Sequence, residues 1–257
     1  HAGLLDGVFV FGDLSYAMGY ASVWDEFLDQ IEGFASRVPL LTNIGNHEYD
    51  SPADTWRSGL VPDRYQGHDS GGECGVPATR LVGTPGSGAG PAKMWWAQAL
   101  GSIYFVSMNT EVDFSSGSEQ WNFVEEALSK VDRAATPWVV FSGHRPALID
   151  SSWKTCAVCP ERDAAGQCAC PEGRVDPTDE GVMRALQKHI GPMLQKHGVA
   201  AAFWGHSHSY QRHCAIEWST LACAQRSEGG VYRAPGAPVH LVVGTGGASF
   251  TDNAEGA

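Results

Sequence analysis

Two rhythms of polarity alternate along the chain. Val8-Phe9-Val10-Phe11 is an almost unbroken apolar run and predicts a strand over 7–11. Residues 22–37 then place Val23, Phe27, Ile31 and Phe34 at helical spacing. Pro39 leads into a second strand, Leu40 to Ile44. Residues 50–92 are rich in Gly, Pro, Asp and Ser and read as a long loop, a length that in a compact domain belongs to functional or mobile segments. The runs MWWAQAL and SIYFVSM flank Gly101-Ser102 and predict a hairpin. Residues 117–133 read as a helix, with Trp121, Val124, Leu128 and Val131 on one face, and 138–143 as a strand. A Cys- and Pro-bearing insertion occupies 150–178. The pattern over 179–197 is helical, with a kink required at Gly191-Pro192. Val199 to Trp204 and Val239 to Val243 complete the strands. Alternation of this kind predicts an α/β layered fold with helices covering a sheet. No repeat and no domain boundary stands out, so 1–257 reads as a single domain.

Four of the strands end in the same way: an apolar run, a glycine, then a residue that can ligate a metal. The exits are Gly12-Asp13, Gly45-Asn46-His47-Glu48, Gly143-His144 and Gly205-His206-Ser207-His208. In α/β sheets, ligands collect just outside the carboxyl ends of strands. Glycine at the exit lets the backbone turn sharply and approach a neighbour. Side by side, the four exits would converge Asp13, Asn46, His144, His206 and His208 on one point. A carboxylate can bridge two cations, imidazole suits Zn, Fe and Mn, and amide and carboxylate oxygens suit harder ions. His206 and His208 lie two apart, so in extended chain they project to one side.

Bulk composition narrows the function. With 257 residues, 43% of them hydrophobic, the chain can bury one large core. Its formal net charge of −12 argues against a nucleic-acid surface, which needs a basic footprint. An anionic substrate stays compatible if bound cations reverse the local field. No apolar run approaches the roughly 18 residues of a membrane span. The chain opens on His1 and closes on a polar tail from Thr251, so both ends read as cut and carry no targeting information.

These motifs resemble the calcineurin-like metallophosphoesterases. Gly-Asp-Leu-Ser-Tyr, residues 12–16, resembles the purple acid phosphatases within them. The stretch Asp69 to Pro77 and Gly-His-Arg-Pro at 143–146 are similar to the plant-type large enzymes named nucleotide pyrophosphatase/phosphodiesterase. The resemblance implies an α-β-β-α sandwich and two metals. Asp13 would bridge them; Tyr16 and His208 would hold Fe(3+); Asn46, His144 and His206 would hold a second, divalent Zn, Mn or Fe. His47 would stand outside the metals, near the leaving group, as the catalytic residue, and Arg145 and Asn46 would meet substrate. Arg145 could equally pair with a carboxylate on the rim. The family's first motif, Asp-x-Gly, is absent, and Asp6 does not replace it because it enters the Asp13 strand itself. The iron site therefore holds three of its four protein ligands, with the fourth expected upstream of His1.

The activity so implied is hydrolysis of a phosphate ester, as an acid phosphatase or nucleotide phosphodiesterase/pyrophosphatase, by a hydroxide that two cations activate. The alternative is a non-catalytic metal- or phosphate-binding module that lacks the first Asp. A second enzyme reading replaces iron with Mn or Zn, against which Tyr16 argues. The implied partner is a small phosphorylated molecule, with neither a nucleic-acid polymer nor a membrane, and the implied location is secreted or vacuolar. Seven cysteines are present, an odd number. Cys156, Cys159, Cys168 and Cys170 could bind zinc, though the short last spacing favours disulfides. Cys214 and Cys223 could close a local disulfide, Cys214 matching a family cysteine. His68, His189, His197, His213 and His240 read as surface or core histidines.

Overall fold

In a computed structural model, residues 5–49, 69–85, 90, 93–149, 177–225, 228–233 and 236–247 are described. Strand β1 (Val8–Val10) divides its side chains between two layers, as period-two alternation requires. Val10 packs with Leu14 and Ile44 against Val23, Trp24 and Phe27 of helix α1 (Ala21–Ala35). Phe9 and Phe11 point the other way, where their rings meet Phe105 and Phe203 at centroid distances of 5.9 and 5.5 Å. Strand β2 (Leu40–Thr42) pairs parallel to β1, with Val8 opposite Leu40.

The second sheet has seven strands: β3 (Trp96–Leu100), β4 (Ile103–Ser107), β5 (Trp138–Ser142), β6 (Ala201–Trp204), β7 (Tyr210–Glu217), β8 (Ala222–Gln225) and β9 (Val239–Val243). Their spatial order is β3-β4-β5-β6-β9-β7-β8, with β4, β5, β6 and β9 mutually parallel. The far face of this sheet is covered by α2 (Glu119–Ser129), α3 (Pro177–His189) and α4 (Gly191–Lys196). Val124, Leu128, Leu186 and Leu194 from those helices bury Val106, Val139, Phe141, Ala202 and Trp204. The layers therefore run α-β-β-α, as the resemblance implies. Burial on both faces is why the central strands read as continuous apolar runs.

The hairpin forms around Gly101, whose φ of +57° suits glycine. The helix expected over 179–197 is interrupted at Ile190, with Pro192 in the first turn of the second segment. Two features depart from the expectation. Part of the stretch read as a loop over 50–92 is a π-helical turn, Ala78–Val82. The antiparallel pair β7–β8 was unforeseen, because Gln211, Arg212 and His213 break any apolar pattern there. That hairpin carries the disulfide Cys214–Cys223. Most of the insertion over 150–178, with Cys156 to Cys170, and residues 50–68 with His68 lie outside the described residues.

Candidate metal centre

The exits of β1, β2, β5 and β6 come together closely enough that only glycine fits between them. A Cβ on Gly45 would lie 2.2 Å from Asp13 Oδ1, and one on Gly12 would lie 2.7 Å from the Gly45 nitrogen and 2.7 Å from His144 Nδ1. Asp13, Tyr16 and His206 have φ of 54°, 53° and 64°, left-handed values that non-glycine residues adopt at a cost of about 1–3 kcal/mol each.

The Asp13 carboxylate divides its two oxygens. Oδ1 accepts the His47 backbone N–H at 3.0 Å. Oδ2 lies 3.1 Å from His144 Nε2 and accepts the Tyr16 hydroxyl at 3.1 Å. One side of Oδ2 gathers an inner group: Asn46 Oδ1 lies 3.1 Å from His144 Nε2 and 3.0 Å from His206 Nδ1, and the two imidazole nitrogens are 3.2 Å apart. Tetrahedral ligands about 2.0–2.1 Å from a cation stand roughly 3.3 Å from one another, so this spacing fits a bound ion. The chemistry fits as well. His144 Nδ1 faces the Phe11 carbonyl at 2.7 Å, so Nε2 is the nitrogen that, once a binding cation displaces its proton, turns a lone pair to the place shared with Asn46 Oδ1 and Asp13 Oδ2. Acceptors aimed at acceptors make a hollow for positive charge. The other side of Oδ2 gathers an outer group, Tyr16 Oη with His208 Nε2 at 2.9 Å.

The titration of these groups follows from that crowding. Burial would raise the Asp13 carboxyl, but His144, His47 and His206 hold it well below the usual range. Burial would lower His144, yet Asp13 raises it to about 9. Burial, then Asp13 and Glu48, push the Tyr16 phenol up. His208 is lowered by burial against the pull of Asp13.

A polar shell supports the ligands. Glu48, fully buried, accepts the backbone N–H groups of Asp13, Leu14 and Gly45 at 2.7, 2.6 and 3.0 Å, tying the β1 and β2 exits together. Burial and Asp13 raise its carboxyl to about 8, against the pull of two of those amides. Asp69 Oδ2 accepts Asn46 Nδ2 at 2.9 Å, and its carbonyl lies 3.0 Å from His47 Nδ1. The His47 ring lies over Tyr16, centroids 4.0 Å apart. Arg145 is buried, donates through Nε to both oxygens of buried Glu111 at 2.9 and 3.0 Å, and brings Nη1 to 3.3 Å from His206 Nε2. Its carboxylate partner therefore lies in the interior and not on the rim.

The structure thus brings Asp13, Tyr16, Asn46, His47, His144, Arg145, His206 and His208 into one place. The supporting roles of Glu48, Asp69 and Glu111 were missed. Glu48 carried a signal, since it stands next to His47 in the second exit; the partners of Asp69 and Glu111 are 22–34 positions away. A cavity of about 840 Å³ opens beside both donor groups, with His144, His206, Tyr16 and His208 on its wall, between the β1 backbone, Val23 and Phe27 of α1, and Gly244 to Gly247 beyond β9. His240 is a core histidine, fully buried.

A family model described as calcineurin-like phosphoesterase matches residues 5–210. The chain is 39% identical over 245 residues to the Arabidopsis thaliana protein named "Probable inactive purple acid phosphatase 9", covering 92% of this chain and 33% of that one. It is 34% identical over 223 residues to a nucleotide pyrophosphatase/phosphodiesterase of Hordeum vulgare, covering 86% of this chain and 52% of that one. A purple acid phosphatase from seeds of yellow lupin, Lupinus luteus, has the same fold, with a TM-score of 0.72 at 34% identity over 98% of this chain and 38% of that one. The chain spans between a third and about half the length of these relatives.

Proposed function

Because the chain belongs to the calcineurin-like phosphoesterase family, we propose that it carries the dinuclear centre of a hydrolase of small phosphate esters, of the acid-phosphatase type, with nucleotides within its substrate class. The observation that supports this most is the Asp13 Oδ2 atom, shared by two donor groups. Asn46, His144 and His206 would hold a divalent ion, and Tyr16 and His208 a ferric one. Bound there, the two cations would supply charge neutralisation at the phosphoryl group and an activated water.

The side chains around them have separable tasks. His47 is held through its backbone N–H on Asp13, and its Nδ1 faces the Asp69 carbonyl. That leaves Nε2 as the nitrogen able to hand a proton to the leaving oxygen. Arg145, anchored through Nε on Glu111, presents Nη1 beside His206, where a phosphoryl oxygen can take a charge-assisted hydrogen bond. Asn46 would also meet substrate. A secreted or vacuolar location belongs to this reading and is supported by the Cys214–Cys223 disulfide. No helix among the described residues is long and apolar enough to cross a membrane.

The test is spectroscopic first. The iron-loaded protein, with and without added upstream sequence, should show a visible phenolate-to-iron band that Tyr16→Phe abolishes. With the upstream sequence present it should hydrolyse p-nitrophenyl phosphate, and His206→Ala should abolish turnover. Absence of the band in every form, or turnover retained in His206→Ala, would overturn the assignment. Two metals bound per chain with no hydrolysis would identify the non-catalytic alternative.

A further inference from the structure

The segment Asp69 to Gly75 lies between the site loops and touches both. Its Gly71 approaches so closely that a Cβ there would sit 2.2 Å from the Met18 carbonyl oxygen. Glu73 accepts the Gly19 N–H at 2.9 Å and the Trp24 indole N–H at 3.0 Å. The Gly75 N–H donates to the Glu48 carbonyl at 2.7 Å. The segment is therefore fixed to the β1 exit, to α1 and to the β2 exit at once. Asp69 heads it, only 5% exposed, with its carboxylate against Asn46 and its carbonyl against His47.

From this geometry we infer that Asp69 is a positioning residue: its carboxylate dictates which end of the Asn46 amide faces the inner donor group. An amide side chain has a donor end and an acceptor end of nearly equal size, and packing alone distinguishes them poorly. An ionised carboxylate only accepts, so the Asn46 NH2 must turn toward Asp69 Oδ2. Oδ1 is thereby directed at His144 Nε2 and His206 Nδ1. The flipped amide would aim N–H groups at the place of a cation and remove one of its four ligands. Partners that orient a ligand in this way are worth about 10- to 100-fold in metal affinity.

This inference rests on the reading of Asp13, Asn46, His144 and His206 as a cation site, and cobalt(II) as the probe separates the two. Visible absorption should report one equivalent of cobalt bound to the wild-type chain. Asp69→Ala should weaken that binding about 10- to 100-fold. Asp69→Asn, whose amide can turn either its donor or its acceptor end toward Asn46, should recover only part of the affinity. In an Asn46→Ala background, Asp69→Ala should change cobalt affinity by less than about twofold, since the group through which it acts is gone. A residue that merely supports the fold would weaken both backgrounds alike. Equal weakening in both backgrounds, or unchanged affinity in Asp69→Ala, would each overturn the positioning role. If the wild-type chain binds no cobalt, the metal-centre reading falls and takes this inference with it.

Discussion

The two donor groups that share Asp13 are built differently. The inner one rests on strand ends. His144 follows β5 directly and is anchored through Nδ1 on the Phe11 carbonyl, Asn46 is anchored on Asp69, and both are almost fully buried. The outer one rests on turns. Tyr16 lies in the loop after β1 and His208 in the turn beyond β6, and both are only partly buried. Rigid elements hold ligands in place before the metal arrives, whereas loops are drawn together by it. The inner group should therefore be the higher-affinity site of this chain, and its supports should matter to folding as well as to chemistry.

The largest effect is expected where the inner group is tied to the backbone. Glu48→Ala would strip the acceptor from three amide N–H groups, those of Asp13, Leu14 and Gly45. At about 1–3 kcal/mol for each buried unsatisfied donor, the loss should reach roughly 4 kcal/mol. Urea unfolding of the metal-free chain measures it, and a loss below about 1 kcal/mol would show that the exits hold together without Glu48.

A smaller effect separates His144 of the inner group from a histidine buried elsewhere. His240 accepts the Trp204 indole N–H at 3.0 Å, and burial, with a further push from His213, lowers its pKa to about 3. An unfolded histidine titrates near pH 6.5. Between about pH 6.5 and 3 the unfolded chain takes up a proton that the native one refuses. Stability is thus complete above pH 6.5 and falls as the medium is acidified, by about 2 kcal/mol at pH 5 from this residue. His240→Gln keeps an acceptor for Trp204 and should flatten that dependence in urea titrations at pH 7 and 5. The Asp13–His144 pair works in the opposite sense. With His144 raised to about 9, its contribution is complete below pH 6.5 and is lost as pH rises through 9. Identical acid sensitivity in wild type and His240→Gln would refute the contrast.

The smallest effect belongs to the outer group. Tyr16→Phe removes one hydroxyl, half-buried and bonded to Asp13 and His208. Without metal it should shift stability by no more than about 1 kcal/mol. A larger loss on thermal unfolding would place the outer group on the same rigid footing as the inner one.

The same division decides what could be read from sequence. The strand exits were legible because each combines an apolar run, a glycine and a ligand within a few residues, and Phe11, Gly12 and Asp13 state the whole reason locally. The α/β class was legible from the alternation of strand-like and helix-like runs, whereas the α-β-β-α layering came with the family resemblance. Asp69 was not, because its meaning lies in Asn46, 23 positions away, across a segment without periodicity. Nor was Glu111, whose partner Arg145 belongs to another strand exit 34 positions on. The β7–β8 hairpin escaped because it pairs through its backbone while its side chains alternate little.

The divided oxygens of Asp13 have a consequence for symmetry. A free carboxylate is unchanged by a half-turn about its Cβ–Cγ bond; in this fold the His47 N–H claims one oxygen and the two ligand groups claim the other. An Asp13→Asn replacement, equal in size, would lose that indifference. With its oxygen toward His47 it would thrust an NH2 among the ligands, and with its oxygen toward the ligands it would set N–H against N–H. The backbone has given a two-fold symmetric group a front and a back, and no isosteric substitute can wear both faces.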